Sequence, residues 1–372
     1  MKILHVVWQS RIGGAELFAR RLAICQAIQH DVSLIYLGGD KSLLEKVDRV
    51  EVSGAGLKSG FDLPGLLRYG AYLGRNRFDV IHIHQNVPAA VISILRGRGA
   101  VIVKHEHGTA SQDWKTFRER LLSRLISPFV DVYIANSTHT LVQLIKWEGI
   151  PEDKIIIIPC GIDVDRFKEG DPKCLRRELG ISASTKIVGF AGRLHPQKGV
   201  EDFIAAAEII SNVEPDTCFL IAGDGVLRIE IEKKLAASKI GHQTAMLGFR
   251  KEMPDVMAAM NVLLIPSRWE PQGLVAVEAM AAGTPVVAFA VGGLPEVLGD
   301  AGIMVKDRDV EMLARGAVGL LRDKEHAGQM AHQGRKQADR YRMEVITTDV
   351  LRAYHYHSSN GNGNNRVNSS NQ

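Results

Sequence analysis

Short runs of apolar residues alternate with helix-length amphipathic segments along nearly the whole chain. Runs that are this short and continuously apolar are typical of strands buried on both faces of a parallel sheet. They fall into two sets, at residues 3–7, 32–37, 80–84, 100–103, 132–135 and 155–158, and at residues 187–191, 218–222, 245–247, 262–265 and 285–289. The pattern therefore predicts an α/β protein with two doubly wound parallel-sheet domains.

A stretch rich in proline, glycine and charge, residues 159–172, separates the two sets of runs. We place an N-terminal domain at residues 1–163 and a C-terminal domain at residues 172–342. Ligands of open α/β sheets bind beyond the carboxyl ends of the strands, so we expect one cleft between two facing sheets. Residues 358–372 contain one apolar residue, Val367, and are expected to be disordered.

Composition narrows the class of protein. A chain of 372 residues is long enough for two cores, and no apolar run approaches the length of a bilayer-spanning helix. The first apolar run is short and is followed by glycines, which indicates a strand and turn rather than a signal peptide and favours a cytoplasmic protein. Four scattered cysteines lack metal-ligand spacing. The net charge of +4 is too small to argue for nucleic acid.

Two carboxylates eight residues apart, Glu270 and Glu278, are the most informative chemistry in the chain. They lie in residues 266–280 (PSRWEPQGLVAVEAM), directly after the apolar run 262–265. Gly273 opens a helical stretch, and the first amides of a helix are a natural site for phosphate. Carboxylates on either side of such amides would accept hydrogen bonds from the hydroxyl pairs of a sugar and a ribose.

This stretch resembles the Glu-x7-Glu motif of the retaining glycosyltransferases of family 4 (glycosyl transferases group 1), which have the GT-B fold. Three more segments resemble the family, namely residues 13–16 (GGAE), 192–199 (GRLHPQKG) and 291–296 (VGGLPE). The four segments occur in the family's order and span nearly the whole chain. The resemblance implies two Rossmann-like domains that face a central cleft, with a last helix, residues 343–357, that crosses back onto the N-terminal domain.

The resemblance also implies roles for individual residues. Arg193 and Lys198 would stabilise the charge that grows on a diphosphate as the glycosidic bond breaks. They are joined at the diphosphate by the backbone amides of Gly273, Leu274 and Val275. Glu278 would bind the ribose and Glu270 the donor sugar. The alternatives are solvated surface cations, a helix glutamate placed for the dipole, and a Glu270 paired with Arg268.

His107 is our candidate for the residue beside the reacting centre, because the family has a histidine followed by glycine at a comparable strand end. His105 is the second candidate, since residues two apart share a face of a strand. Residues 105–107 (HEH) would also suit a metal, but no third ligand is evident, and we expect neither metal nor cofactor. His82 and His84 share one face of another strand and are interpreted as structural.

Three further segments complete the predicted site. Gly13 and Gly14 follow the first strand as a cleft loop, where a tight strand-to-helix turn is an equal alternative. Base binding is expected near Gly248, Phe249 and Arg250, through backbone contacts. Residues 163–165 (DVD) match a metal motif of another glycosyltransferase fold but lie in the linker, and we interpret them as structural.

Basic residues are concentrated in the N-terminal half, where residues 64–130 hold ten lysines and arginines against four acids. Within this region, residues 114–126 combine arginines with apolar residues at 114, 117, 121, 122 and 125. Such a helix can lie on an anionic membrane, although packing of the apolar stripe on the domain core gives the same pattern and is preferred. Peripheral contact with the inner face of a membrane is therefore a hypothesis.

The sequence thus predicts a retaining glycosyltransferase that moves a hexose-type sugar from a nucleoside-diphosphate donor, UDP in preference to GDP, to a hydroxyl. The acceptor is expected to be a glycan, a lipopolysaccharide or a lipid-linked molecule. A nucleotide-sugar epimerase or hydrolase of similar architecture remains an alternative, because it would need no acceptor. A non-catalytic nucleotide-sugar binding module is a third hypothesis, which donor binding without turnover would support.

Overall fold

The computed structural model describes residues 1–8, 14–38, 47, 49–58, 62–84, 87–97, 99–108 and 117–360. Its described residues form two compact units, an N-terminal unit from residues 1–159 and 343–360 and a C-terminal unit from residues 160–342. Residues 160–163, which we predicted in the first domain, belong to the C-terminal unit. Within that unit the Ile162 amide donates to the Tyr341 carbonyl over 2.8 Å, and the Ile162 side chain is fully buried.

The described part of the N-terminal unit is built on a seven-stranded parallel sheet of order β3-β2-β1-β4-β5-β6-β7. The strands are β1 Lys2–Val7, β2 Asp31–Gly38, β3 Val50–Leu57, β4 Val80–His84, β5 Val101–Glu106, β6 Val132–Ala135 and β7 Ile155–Ile157. The helices are α1 Gly14–Gln26, α2 Leu63–Arg75, α3 Val87–Arg96, α4 Phe117–Ile126 and α5 Thr138–Gln143, which continues as a π-helical turn, Leu144–Glu148.

The C-terminal unit has a six-stranded parallel sheet of order β10-β9-β8-β11-β12-β13. The strands are β8 Ile187–Ala191, β9 Cys218–Ala222, β10 Thr244–Gly248, β11 Val262–Ile265, β12 Val286–Phe289 and β13 Ile303–Val305. The helices are α6 Val164–Lys168, α7 Pro172–Glu178, α8 Val200–Val213, α9 Arg228–Ala237, α10 Met253–Ala259, α11 Leu274–Ala282, α12 Leu294–Leu298, α13 Val310–Arg322 and α14 Lys324–Ala338.

Both faces of the C-terminal sheet are covered, which explains why its strands are continuously apolar. Along β8, Ile187 and Ala191 join a core cluster on one face, whereas Val188 and Phe190 join a second cluster on the other. Since successive strand residues point to opposite faces, a strand between two helical layers needs apolar residues at every position. The predicted fold class, two doubly wound parallel-sheet domains, is confirmed.

The last described helix, α15 Met343–Asn360, belongs to the N-terminal unit and packs against α1. Val350 and Tyr354 anchor it, with 0% and 1% of their surfaces exposed. The helix includes residues 358–360, which we expected to be disordered, while residues 361–372 lie outside the described residues. No described helix is both long and apolar enough to cross a bilayer.

Candidate active site

Strands β8 and β11 lie side by side in the C-terminal sheet, at the point where its strand order reverses. From β8 the chain proceeds outward through β9 to β10, and from β11 it proceeds outward in the opposite direction through β12 to β13. Loops that leave the carboxyl ends of two such strands diverge and leave a crevice that suits a ligand. The loops in question are residues 192–199 and 266–273. The fold therefore brings together, within one unit, the two segments that the sequence marked as chemical.

The loop after β8 folds back as a short 3-10 turn, Pro196–Lys198. His195 caps this turn, because its Nδ1 accepts the Gln197 amide at 3.2 Å. Gly199 then begins α8 with φ of 64°, a left-handed conformation that favours glycine. Arg193 is exposed, and its side chain makes no hydrogen bond or ion pair within the described ranges. The loop thus presents one engaged cation, Lys198, and one cation available to a ligand.

Lys198 and Glu270 form an ion pair between the two loops. Lys198 Nζ lies 2.5 Å from Glu270 Oε2, and the Ser267 hydroxyl donates to the same oxygen at 3.2 Å. Glu270 is 7% exposed. A charge-assisted contact this close fixes both side chains beside the strand reversal. The contact brings a cation and a carboxylate together at the carboxyl ends of β8 and β11.

Arg268 does not pair with Glu270, which was the alternative that the sequence left open. Its guanidinium reaches instead the first turn of α8, where Nη2 lies 3.2 Å from Glu201 Oε2 and Nε lies 3.8 Å from Asp202 Oδ2. Arg268 is therefore paired with the first turn of α8, and Glu270 is paired with Lys198.

Helix α11 begins at the crevice. Gly273 caps it with φ of 99°, and Leu274 and Val275 form its first turn. The first amides of a helix have no intrahelical acceptor and carry the positive end of its dipole. Glu278 is the fifth residue of α11 and is partly buried. The predicted phosphate and ribose residues thus lie on one helix that starts at the Glu270 loop.

The loops at the carboxyl edge of this sheet contact one another directly through their main chains. A Cβ added to Gly292 would overlap the Glu270 carbonyl oxygen, and one added to Gly199 would overlap that of Pro266. The same holds for Gly223, whose Cβ would overlap the Gly192 carbonyl oxygen. The loops after β9, β8, β11 and β12 therefore form one continuous layer, in which glycine is needed at each crossing.

Gln272 is a residue whose role the sequence did not reveal. Its Oε1 accepts the Cys160 amide at 2.8 Å, and its Nε2 donates to the Cys160 carbonyl at 2.9 Å. The side chain is 3% exposed. Gln272 thus ties the loop before α11 to the first residue of the C-terminal unit, and no sequence motif signals such a long-range contact.

The predicted base-binding residues lie at the carboxyl end of β10. Gly248 adopts φ of 64°, and Phe249 is 57% exposed. Arg250 is bound to Glu178 through both terminal nitrogens, at 2.5 and 3.0 Å, and this carboxylate raises the pKa of the guanidinium. The Arg250 side chain is therefore engaged, whereas the Phe249 ring is exposed.

In the N-terminal unit, His107 follows directly after β5 and is half-buried. Its Nε2 lies 3.0 Å from His84 Nδ1, and its carbonyl accepts the Asn136 side-chain amide at 3.1 Å. His105, the second candidate, is 0% exposed and lies beneath it, with ring centroids 4.2 Å apart. Of the two, His107 is therefore the histidine that a ligand can reach.

His5, His82, His84, His105 and His107 form one cluster on a single face of the N-terminal sheet. Register places His5 opposite His82 and His84 opposite His105. Burial lowers the pKa of His5 and of His107 to about 4. Burial and then mutual repulsion hold the pKa values of the other three well below the ordinary value. All five rings are neutral at pH 7.

Neutral imidazoles suit a metal, and two trios offer nitrogens within 4.8 Å of one another. The trios are His5, His82 and His84, and His84, His105 and His107. Histidine ligands hold zinc from about 2.0–2.1 Å. Most of these nitrogens, however, already hydrogen-bond to one another, to Gln26 or to Tyr354. The cluster is thus largely satisfied as a hydrogen-bonded network.

The remaining predicted segments are the glycines after the first strand and residues 163–165. Gly13 lies outside the described residues, and Gly14 is the exposed first residue of α1. The structural interpretation of residues 163–165 is confirmed, since Asp163 caps α6 and Asp165 binds Arg342 through both oxygens at 2.7 and 2.8 Å.

Helix α4 corrects the preferred interpretation of residues 114–126. Trp114 lies outside the described residues, and Leu122 and Ile126 pack inward. Phe117, Leu121 and Leu125, by contrast, are 78%, 47% and 62% exposed. Leu121 and Leu125 each precede an inward position by one residue, or about 100° around the helix. All three form an exposed ridge rather than part of the core.

Comparison with known families accounts for both units. The model of the Glycosyltransferase Family 4 domain matches residues 12–166, and the model of Glycosyl transferases group 1 matches residues 173–337. The chain belongs to the family 4 (group 1) glycosyltransferases. The group 1 match contains the loops after β8 and β11, and the family 4 match contains the histidine cluster strands β4 and β5.

Individual relatives of this glycosyltransferase agree. It is 29% identical over 296 residues to a D-inositol 3-phosphate glycosyltransferase of Segniliparus rotundus, covering 75% of this chain and 66% of that protein. It is 28% identical over 249 residues to UDP-Gal:alpha-D-GlcNAc-diphosphoundecaprenol alpha-1,3-galactosyltransferase of Escherichia coli, covering 62% and 63%. The chain thus matches just under two thirds of the length of these relatives.

A solved structure extends the likeness over nearly the whole glycosyltransferase chain. Anabaena Alr3699/HepE in complex with UDP has a TM-score of 0.82 and 25% identity, over 96% of this chain and all of that one. Its complex with UDP-glucose gives the same TM-score. The GT-B fold that the sequence predicted is confirmed.

Proposed function

We propose that this glycosyltransferase moves a hexose-type sugar, with retention of configuration, from a UDP-sugar to a hydroxyl of a glycan, lipopolysaccharide or lipid-linked acceptor. The carrying observation is the contact between Lys198 and Glu270 at the strand reversal. It sets a cation and a carboxylate side by side, next to the start of α11. A sugar diphosphate is complementary to this pair, because its phosphates are anions for the lysine and its hydroxyls are donors for the carboxylate.

The diphosphate would be held from two sides. Arg193 has its guanidinium available, and Lys198 would share its charge between Glu270 and the phosphates. The amides of Gly273, Leu274 and Val275 would face the distal phosphate at the helix start. Each charge-assisted bond would contribute about 1.5–3 kcal/mol, and its value would grow as the leaving group gains charge. Glu278, one turn further along α11, would accept the ribose hydroxyls.

Glu270 is the proposed contact for the donor sugar, and His107 is the proposed residue beside the reacting centre. Glu270 would accept hydrogen bonds from the hydroxyls of the sugar and would favour positive charge at the anomeric carbon. In the step, the acceptor oxygen bonds to that carbon, the bond from the carbon to the phosphate oxygen breaks, and the acceptor proton passes to the departing phosphate. Attack from the leaving-group side gives retention. No metal or cofactor is needed, because cationic side chains and amides neutralise the phosphates.

UDP is the preferred nucleotide. The Anabaena protein was crystallised with UDP and UDP-glucose, and the Escherichia coli relative is named for UDP-Gal. Gly248, Phe249 and Arg250 are the proposed base-binding segment, with the Phe249 ring exposed. The acceptor named for the Escherichia coli protein is a diphosphoundecaprenol-linked sugar, which supports a lipid-linked acceptor.

A binding and turnover experiment tests the proposal. UDP, GDP and UDP-hexoses are screened by thermal shift, where a ligand at 100 times its Kd adds about 2.7 kcal/mol. Lys198→Ala and Glu270→Ala should each lower turnover by roughly 10²-fold or more. Arg268→Ala is the matched control, because Arg268 lies in the same loop but faces Glu201. Near-normal transfer by both site variants would contradict the proposal.

The product distinguishes the competing activities. Proton NMR of the product should show the anomeric configuration of the donor, and inversion would refute the retaining mechanism. Release of UDP without acceptor, or change of the donor sugar itself, would indicate a hydrolase or epimerase. Donor binding with no turnover across acceptor extracts would indicate a binding module.

Peripheral membrane contact through α4 is the last part of the proposal and would place the protein at the inner face of the membrane. The ridge of Phe117, Leu121 and Leu125 offers apolar side chains, with Arg120 and Arg124 on the same helix. Such a surface suits an anionic bilayer. Co-sedimentation with anionic liposomes should weaken with salt and with Leu121→Ser plus Leu125→Ser. Absence of binding at low salt would remove this part alone.

A further inference from the structure

The five histidines of the cluster are joined into one hydrogen-bonded chain by a glutamine and a tyrosine. The chain runs His107, His84, His5, Gln26, Tyr354, His82, His105. Its links are His107 Nε2 to His84 Nδ1 at 3.0 Å, His84 Nε2 to His5 Nδ1 at 3.1 Å, His5 Nε2 to Gln26 Oε1 at 2.8 Å, Gln26 Nε2 to Tyr354 OH at 3.2 Å, Tyr354 OH to His82 Nδ1 at 2.6 Å and His82 Nε2 to His105 Nδ1 at 3.3 Å.

The direction of every bond in this chain follows from Gln26. A neutral imidazole has one N–H and one lone pair, whereas the two ends of an amide are chemically different. Gln26 Oε1 can only accept, so His5 carries its proton on Nε2 and accepts at Nδ1. Because His5 Nδ1 accepts, His84 must donate to it from Nε2 and must itself accept at Nδ1. His107 must then donate from Nε2 to His84 Nδ1.

The other half of the chain follows in the same way. Gln26 Nε2 donates to the Tyr354 oxygen, so the Tyr354 proton is directed to His82 Nδ1. His82 then donates from Nε2 to His105, whose proton is left on its own Nε2. That nitrogen is buried and has no partner within the described ranges. All five histidines therefore carry the same tautomer.

We propose that Gln26 is a positioning residue that fixes His5, His82, His84, His105 and His107 as Nε2–H tautomers. With Nε2–H donated to His84, the lone pair of His107 is on Nδ1. At that atom His107 can accept a hydrogen bond and cannot donate one. The catalytic part of this inference rests on the proposed function, whereas the tautomer assignment does not.

Two structural facts make the arrangement effective. Gln26 is 1% exposed and lies on α1, while Tyr354 lies on α15, so the two helices present the linking groups to the sheet. The rings are neutral at pH 7 because burial lowers their pKa values, and a protonated ring would break the chain by presenting two donors. A flip of the Gln26 amide would reverse every bond and convert all five rings to Nδ1–H together.

Nitrogen-15 NMR of histidine-labelled full-length protein at neutral pH tests the assignment. Five buried rings with the pattern of Nε2–H are expected. His84→Gln and His107→Gln assign individual signals. A His107 ring protonated on Nδ1, or a mixture, would overturn the proposal. So would metal analysis that finds an ion bound at the cluster, since metal coordination would replace these hydrogen bonds.

Gln26→Leu tests the role of the amide. Loss of the acceptor for His5 should leave His107 in mixed tautomers, and kcat should fall about tenfold, with the donor KM changed by less than roughly twofold. Unchanged tautomers in this variant would refute the role of Gln26. Mixed tautomers with unaltered kcat would leave the assignment standing and reject the catalytic role of His107.

Tyr354→Phe provides a second variant if Gln26→Leu fails to fold. It should free the His82 and His105 rings from the common tautomer. Tyr69→Phe is the matched control, because Tyr69 is equally buried and its hydroxyl bonds to Ser93 Oγ at 2.8 Å, outside the chain. A change in the histidine pattern in Tyr69→Phe, or none in Tyr354→Phe, would contradict the inference.

Discussion

Acid should open the N-terminal unit before the C-terminal one, because the histidine cluster is buried and neutral. A histidine with a lower pKa in the folded chain than in the unfolded chain takes up its proton on unfolding. The free energy of unfolding therefore falls as the pH drops below the unfolded value. The window runs from 6.5 down to about 4, as set by the pKa of His5.

The size of the effect follows from the same residue. His5 is fully buried, and lowering its pKa from 6.5 to about 4 corresponds to about 3 kcal/mol of stability lost across that window. His82, His84 and His105 are also fully or almost fully buried and shifted in the same direction. An ordinary domain is stable by about 5–15 kcal/mol. His5 alone thus removes a sizeable part of that stability, and the other three histidines act in the same direction.

Hydrogen exchange measured by mass spectrometry between about pH 7.5 and pH 4.5 can locate this opening. After correction for the intrinsic exchange rate, β1, β4 and β5 should lose protection, while β8 and β11 retain theirs. His326→Gln, which replaces an exposed histidine of the C-terminal unit, should behave as wild type. Equal protection of β1, β4 and β5 at both ends of the range would refute the reasoning.

Three further outcomes are expected in the C-terminal unit. Gln272→Ala removes both hydrogen bonds from Gln272 to the Cys160 backbone and should lower the free energy of unfolding by about 2–4 kcal/mol in urea denaturation. A loss below about 0.5 kcal/mol would contradict the two bonds. Gly292→Ala adds a Cβ against the Glu270 carbonyl at φ of 57° and should cost about 3 kcal/mol or more, with turnover also reduced. Arg268→Ala removes a partly exposed ion pair and should change stability by less than about 1 kcal/mol, as thermal unfolding would show.

The apolar runs predicted most of both sheets, because strands buried on two faces must be apolar throughout. The apolar pattern did not predict two strands, β3 and β13. β3 (VEVSGAGL) has polar or glycine residues at half of its positions, as suits a strand at the edge of the sheet. β13 has three residues, one of them exposed. The apolar signal was therefore lost at two of the four edge strands, whereas the edge strands β7 and β10 were still recognised.

The candidate site divides in the same way. The segments around Lys198 and Glu270 were recognisable because each follows a strong strand, yet only the strand order shows that β8 and β11 are neighbours. The histidine chain could not be predicted. Its links join residues 21 to 328 positions apart, from His5 with Gln26 to Gln26 with Tyr354. They also depend on strand register, which the sequence of a parallel sheet does not specify.

The interlocked glycine crossings at the carboxyl edge of the C-terminal sheet have a consequence for remodelling this protein. Replacing a single loop by the corresponding loop of a relative would disturb its neighbour, because the main chains of adjacent loops are in direct contact. Altered donor preference is therefore best sought by exchanging adjoining turns as a block, or by changing side chains that project outward, such as Arg193.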